Sequence, residues 1–376
     1  MSNAPSVLGT NYGQKFAQNS LKSYFDQALS PQITNDNWEA DLTGGRADRV
    51  NILTFAVPGW VNYTGADITF QDVSEIQGVL QLSVQRSNSF QIKDWNRFKS
   101  YATDPESQEV YMRAEAMKRE VDQYNLGFYK YGLKSNFVGT DYTTGTVTVD
   151  ASGNVTGSGT TFTSGMVGCG FVYAGTAPTV AGQFARVATF VNATSITLMD
   201  DADDIPTQFT AASAAAGASY TIKAASVLQV TSATIDATIC KLKENLDQEG
   251  PSGTVCPDEG RFLVVPSKIH TLMMQSAAMT PYTPSAYEDA VKLGIVGQFR
   301  GFKVFKSERV SGNNGTGFYC LAGHRMGITH AFVPIGGSVV TDLQNNYGRG
   351  FKQLVTYGSK VLDNRKQFLA TMWVYV

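Results

Sequence analysis

Arg261-Phe-Leu-Val-Val-Pro266, Ile295-Val-Gly-Gln-Phe-Arg-Gly-Phe-Lys-Val-Phe305 and Ala322-Gly-His-Arg-Met-Gly-Ile-Thr-His-Ala331 are the three stretches on which the fold turns. The first is a short apolar run ended by proline, which predicts a buried strand over Phe262–Val265. The second places a glycine-bounded turn before a strand over Phe302–Phe305. The third is rich in small residues and predicts a strand at Tyr319–Leu321, then a helix near His324–His330. None of the three supplies a reactive constellation.

Working outward, a helix is predicted from the face Ile235, Ile239, Leu242 and Leu246. Ser267 is placed as the cap of a helix carrying Ile269, Leu272 and Met273, and Ser285–Leu293 as a further short helix. The tail, Gln353–Tyr357 and Gln367–Val374, reads as strands that close an earlier sheet. Together with the three opening stretches, this is an α+β pattern.

Before it, Thr140–Ala225 is a block of Thr, Ser, Gly, Ala and Val with six acids and two bases. Thr146–Val149, Val187–Val191, Ser195–Leu198 and Tyr220–Ile222 alternate at period two, and Asn192–Ser195 reads as a hairpin turn. The block predicts a small all-β module inserted at 140–225, similar in its Thr/Gly-rich strands to the small β-barrels of several virion proteins. Earlier still, Asp104-Pro105-Glu106 is a helix start. The stripe Val110, Ala114, Met117, Val121, Tyr124, Phe128 predicts a helix to about Tyr131, roughly 40 Å long at ~1.5 Å per residue, with its stripe packed in a core. Residues 46–100 read as strands of an extended β-loop, from Val50, Ile52 and Leu53 through Ile68 and Phe70 to Val79–Val84. Its aromatics Trp60, Tyr63 and Phe90 need a partner surface. Residues 1–45 read as an arm with one short helix around Leu21–Ala28.

The totals narrow the function. The chain has 376 residues, a formal net charge of −2, 43% hydrophobic and only 16% charged residues, where about 25% charged is usual. Few charges on a long chain point to surface covered by a partner. Near neutrality argues against sequence-specific nucleic-acid binding. Met1–Thr10 has no basic stretch before an apolar core, so no secretory signal is predicted, and no apolar run reaches the ~18 residues of a membrane span. Cys169, Cys240, Cys256 and Cys320 contain no Cys-x-x-Cys spacing and read as reduced, mostly buried thiols.

Candidate chemistry is thin. His324 and His330 are six apart, against the three or four that helical metal ligands need. Asp200, Asp201, Asp203 and Asp204 lack the glycine and terminal glutamate of a calcium loop. Gly157-Ser-Gly-Thr-Thr161 has no lysine after it, and Asp258-Glu259 reads as a surface pair. No catalytic, cofactor or metal site is predicted, and the chain does not read as an enzyme.

This element order resembles the HK97-like fold of tailed-phage major capsid proteins, most of all the branch that includes the P22 coat protein. The local matches are Arg261–Pro266, Gly297–Val304 and Gly323–Ala331. The resemblance implies an amino-terminal arm (1–45), an extended β-loop (46–100), a spine helix and peripheral domain (101–139), an axial domain (226–338) and closing peripheral strands (339–376), with 140–225 as the departure from the pattern. It implies a structural protein of the virion capsid, assembled in the host cytoplasm from hexamers and pentamers of itself around double-stranded DNA held non-specifically. Scaffold, portal and decoration proteins are the implied partners, and no membrane. Trp60, Tyr63, Phe90 and Lys93 are the expected inter-subunit residues. Lys–Asn cross-links of the kind some relatives form are not predicted, because nothing desolvates Lys93 or places a carboxylate beside it and Asn345-Asn346. Two alternatives stay open: a nanocompartment shell of the same fold, and a tail or fibre protein binding carbohydrate through the β-module.

Overall fold

The computed structural model describes residues 28–45, 48–55, 75–95, 105–133, 136–150, 152–173, 184–199, 219–249, 254–276, 297–342 and 347–376. The expected helices at Leu21–Ala28 and Ser285–Leu293, the strand through Ile68 and Phe70, and the acidic run Asp200–Asp204 lie outside these, apart from Ala28.

Along the chain come α1 (Ser30–Ile33), α2 (Glu39–Gly45), β1 (Arg49–Phe55), β2 (Glu75–Gln81), β3 (Val84–Lys93) and the long α3 (Pro105–Leu126). After β4 (Phe137–Val138) follow β5 (Thr140–Tyr142), β6 (Thr146–Val149), β7 (Asn154–Ser158), β8 (Gly170–Tyr173), β9 (Phe184–Asn192), β10 (Ser195–Met199) and β11 (Tyr220–Ser226). The remainder is β12 (Leu228–Gln229), α4 (Ile235–Asp247), β13 (Arg261–Val265), α5 (Ser267–Gln275), β14 (Gln298–Phe299), β15 (Phe302–Lys306), β16 (Gly312–Asn313), β17 (Gly317–His324), β18 (Thr329–Asp342), β19 (Gly348–Lys360) and β20 (Leu369–Tyr375).

The main core surrounds a mixed central sheet in the order β12-β20-β17-β13-β15-β14, with β16 on β17 and β4 on β20. Every residue of β13 is buried, as its unbroken apolar run requires of a strand covered on both faces. The face Ile235, Ile239, Leu242 and Leu246 of α4 is fully buried in the same core. Each such side chain contributes about 1.5–3 kcal/mol. β14 and β15 are joined by Arg300-Gly301, both at positive φ, the backbone a tight two-residue hairpin demands.

Two long strands leave this body. β18 and β19 pair antiparallel, and β3 joins β19, in a three-stranded flank sheet. β1 and β2 form a separate antiparallel ribbon. A small cluster of Leu42, Ile52, Leu80, Ala331 and Leu362 fastens the ribbon's root.

Residues 140–226 make a sheet of their own, ordered β5-β11-β8-β9-β10-β7-β6. Its core holds Val147, Val149, Val155, Phe171, Val187, Ile196 and Ile222. The alternation of Thr146–Val149 places both valines inside. β9 and β10 meet in the expected hairpin at Asn192–Ser195. The strand path is open, with β5 and β6 at its ends and no ladder between them among the described residues, unlike a closed barrel. The chain enters by β5 and leaves by β11, and these two pair (Ser226 opposite Thr140). Asp141 ties them further, accepting from Ala224 N at 3.0 Å and from Lys223 Nζ at 3.1 Å.

Several expectations need correction. No helix forms at His324–His330: β17 runs to His324, a 3-10 turn spans Arg325–Gly327, and β18 starts at Thr329. The small residues serve close approach. A Cβ on Gly323 would sit 2.2 Å from the Phe368 carbonyl oxygen, and its φ is +152°. Ser267 does not cap α5. The Glu308 carboxylate does, accepting from Ser267 N at 2.7 Å. α3 ends at Leu126 and continues as a 3-10 turn to Tyr131, so the α-helix is roughly 33 Å long at ~1.5 Å per residue. The strand expected over Val79–Val84 breaks at Leu82, whose N–H turns to the Asp48 carbonyl at 2.9 Å. The last strand starts at Leu369, after a 3-10 segment over Asp363–Phe368. β18 runs through residues 338 and 339, and β20 pairs in the central sheet while β18 and β19 pair in the flank. Described residues of the expected arm are already packed, with Leu29 and Ile33 in the main core.

Candidate assembly surface

α3 lies along one face of the flank sheet. β3 alternates, sending Arg86, Asn88 and Phe90 toward the helix and Gln85, Ser87, Ser89, Gln91 and Lys93 to the exposed opposite face. Arg86 pairs with Glu120, and Tyr357 donates from its hydroxyl to the same Glu120 at 3.3 Å. Arg113 donates to Asn88 Oδ1 at 2.7 Å and lies over the Phe90 ring at 4.8 Å. Phe90 stacks flat on Phe351 across the strand pair, 4.6 Å between centroids. Because Glu120 meets Arg86 while Arg113 meets Phe90, the helix runs antiparallel to β3. Its start points toward the end of the sheet that carries Lys93.

That outer end is unusually apolar at its surface. Trp95 is 63% exposed and Tyr347 is 90% exposed, while Val110 and Tyr111 on α3 are 45% and 47% exposed. Asp94, next to Trp95 in the chain, donates its N–H to the Tyr347 carbonyl at 3.1 Å. Along the stripe of α3, Val121 is buried and Tyr124 and Phe128 are half-buried. Val110 and Tyr111 present apolar side chains to solvent in the single chain.

Of the residues expected at an interface, Phe90 and Lys93 belong to this region. Phe90 is half-buried, with one face on Phe351 and Arg113, and Lys93 is exposed opposite Gly348. Trp60 and Tyr63 lie outside the described residues, as do Asn345 and Asn346. Sequence reasoning missed Trp95 and Tyr347. Each sits among turn-type residues (Asp94-Trp95-Asn96, Asn345-Asn346-Tyr347-Gly348), so neither joins an alternating or helical pattern, and that misfit was the available signal.

The inner end is closed by a buried polar cluster. Asp122, fully buried, accepts from Leu29 N (3.0 Å), Ser30 N (2.8 Å) and Ser30 Oγ (2.7 Å), and pairs with Arg309. Asn125 donates to Ser30 Oγ at 3.0 Å and accepts from Ser359 Oγ at 2.6 Å, and Ser359 meets His330 Nδ1 at 2.8 Å. Burial holds the His330 imidazole down to about 4, and burial also lowers His324 and His270.

Chemistry is not assembled here. Among the described residues no group of three or more His, Cys, Asp or Glu could hold a metal ion. Cys256 is pushed up to about 11 and Cys320 further up, both by burial, which keeps them as thiols. Cys240 is exposed and Cys169 half-buried, so the thiols are less uniformly buried than expected. Among the described residues no helix is long and apolar enough to cross a membrane.

No protein-family model matches the chain, and no curated protein sequence matches it. Solved structures do. A structure of Mycobacterium phage Che8 superposes with a TM-score of 0.60 at 13% identity, covering 96% of each chain. The capsid structure of cyanophage P-SCSP1u gives 0.56 at 13% identity, covering 100% of this chain and 99% of that one. The capsid asymmetric unit of cyanophage Pam1 gives 0.56 at 11% identity, over 100% and 98%. The chain has the fold of phage capsid proteins. At these identities the fold is what is shared, over essentially the whole length of each chain.

Proposed function

We propose that this chain is the major capsid (coat) protein of a tailed phage. It would build the hexamers and pentamers of an icosahedral shell around double-stranded DNA, assembled in the host cytoplasm. The observation that carries the reading is the end-to-end likeness to phage capsid structures, in both directions of coverage. A long helix and strand pair that expose aromatics at one end support it, as does the lack of an assembled reactive site among the described residues. On this reading the fold is HK97-like and closest in element order to the P22 branch. The body around β13 is the axial domain, and α3 is the spine.

The extended β-loop, with Trp60, Tyr63, Phe90 and Lys93, lies against a neighbouring subunit, and the Trp95–Tyr347 end of the flank shares that contact. The seven-stranded sheet is an inserted module, because its entry and exit strands pair side by side as a two-strand stem. Scaffold, portal and decoration proteins are the expected partners. DNA contact is non-specific and weak per subunit, in keeping with a net charge of −2.

The test is assembly itself. Purified full-length chain, with and without a scaffolding partner, is followed by light scattering and sedimentation. Wild type forms large closed particles. The double variant Trp95→Asp, Tyr347→Asp keeps its folded melting transition but assembles at least about tenfold less, since losing aromatic anchors costs on the order of 2 kcal/mol or more per contact. Unchanged assembly of that variant removes this end of the flank from the interface.

A further inference from the structure

Asn314-Gly315 is the one Asn-Gly pair in the sequence, and every other asparagine is followed by a residue that carries a side chain. The pair sits in the turn between β16 and β17, where Asn313 is opposite Gly317. Gly315 and Thr316 are exposed and Asn314 is half-buried. Asn313 Oδ1 shapes the turn, accepting from Gly315 N at 2.8 Å and from Thr316 N at 2.9 Å.

The Asn314 side chain reaches the other way, to the end of β20. Its Nδ2 donates to the Val376 main-chain oxygen at 3.5 Å, and its Oδ1 accepts from Val376 N at 3.3 Å. Both distances are longer than the usual range for such bonds, so the amide is held loosely. Beside it, Trp373 Nε1 donates to the Thr316 carbonyl at 3.0 Å. The turn is a clasp on the last strand of the central sheet.

A side-chain amide is an electrophile for the backbone nitrogen of the next residue. A side chain on that residue crowds the approach, and glycine has none. An exposed turn also admits the water that completes the reaction. We propose that Asn314 is a self-modification site, at which the chain converts its own amide to an acid and opens the clasp on β20. Gly315 N bonds to Asn314 Cγ as the Cγ–Nδ2 bond breaks. The Nδ2 group leaves as ammonia, taking the proton from Gly315 N, and a succinimide ring remains. Water then opens one of its two carbonyls. Opening at Cγ gives aspartate, which has lost the donor to the Val376 oxygen. Opening at the main-chain carbonyl gives isoaspartate, whose backbone runs through Cβ and Cγ. The former side chain is then part of the main chain, and both contacts to Val376 are lost. The inference concerns the covalent chemistry of one chain and does not rest on the capsid reading.

The test holds purified full-length protein in mildly alkaline buffer at physiological temperature. Conversion at each asparagine is followed by peptide mass spectrometry and enzymatic labelling of isoaspartate. Asn314 converts at least about tenfold faster than any other asparagine, and Gly315→Ala slows it by at least about tenfold. Alanine fits that position: the backbone is outside the left-handed region, and a Cβ would meet only Asn313 Oδ1, at 3.2 Å. Asn314→Gln, which must close a larger ring, is a second variant and stays an amide. The more acidic fraction that accumulates is separated by ion exchange. Its Trp373–Val376 segment exchanges amide hydrogens faster than in fresh protein, while β13 keeps its protection. An Asn314 no more reactive than the other asparagines, an unchanged rate in Gly315→Ala, or equal exchange of Trp373–Val376 in the two fractions would each overturn the proposal.

Discussion

Asp122 is the residue on which the inner end of α3 depends. Its carboxylate is buried with four donors from two parts of the chain, the adjacent Leu29 and Ser30 and the distant Arg309. A buried charge is tolerable only when paired and hydrogen-bonded, and removing one partner strands the other. Asp122→Ala is therefore expected to destabilise the subunit by about 3–5 kcal/mol in chemical denaturation, more than a simple cavity of that size would. His330 joins the same network through Ser359, Asn125 and Ser30. Its folded value of about 4 lies below the ordinary histidine range, so the neutral ring is the folded form. The unfolded chain binds the proton first as pH falls. The stabilisation is thus fully present above about pH 6.5 and is lost progressively toward about pH 4, on the order of 3 kcal/mol in total. His324 and His270 are lowered in the same sense. Thermal melts of the unassembled subunit should fall between about pH 7 and about pH 5, and His330→Gln should flatten that slope. A slope unchanged in the variant would place the titration elsewhere.

The strands and helices follow from local pattern wherever one face meets the core. β13, α4, β6 and the β9–β10 turn are legible because an apolar run, a 3.6-residue period, a two-residue period and an Asn-initiated turn each have one good structural solution. Ala322–Ala331 was misread for an identifiable reason. Alanine there suits a helix while glycine disfavours one, and the small residues are present because β20 pairs with β17 at backbone contact distance, a tertiary fact without a local signature. Gly323→Ala should accordingly cost about 2 kcal/mol or more, from the Cβ meeting the Phe368 carbonyl and from the strained φ, with loss of stability read by melting temperature. An alanine variant as stable as wild type would mean that β17 and β20 can separate there. α3 shows the opposite limit. Its stripe is correctly periodic, but periodicity cannot say what covers it, and Val110 and Tyr111 face outward in the single chain. The cap of α5 was likewise invisible, since Glu308 lies 41 residues from Ser267.

At the scale of the molecule, the central sheet ties the chain together, with β20 antiparallel to β17 and parallel to β4 and β12. From this body extend a ribbon, a flank sheet with a long helix along it, and a β-module on a two-strand stem. The ribbon has only a small core of its own and the flank exposes aromatics at one end, which suits the proposed role as a subunit completed by copies of itself. The sparse charge of the sequence pointed that way, while Trp95 and Tyr347, set among turn residues, did not stand out. The central claim is assembly into a shell, and negative-stain electron microscopy of the purified full-length chain tests it most directly. The account predicts uniform closed shells, or rings of five and six subunits, and a stable monomer under every salt and scaffold condition would contradict it.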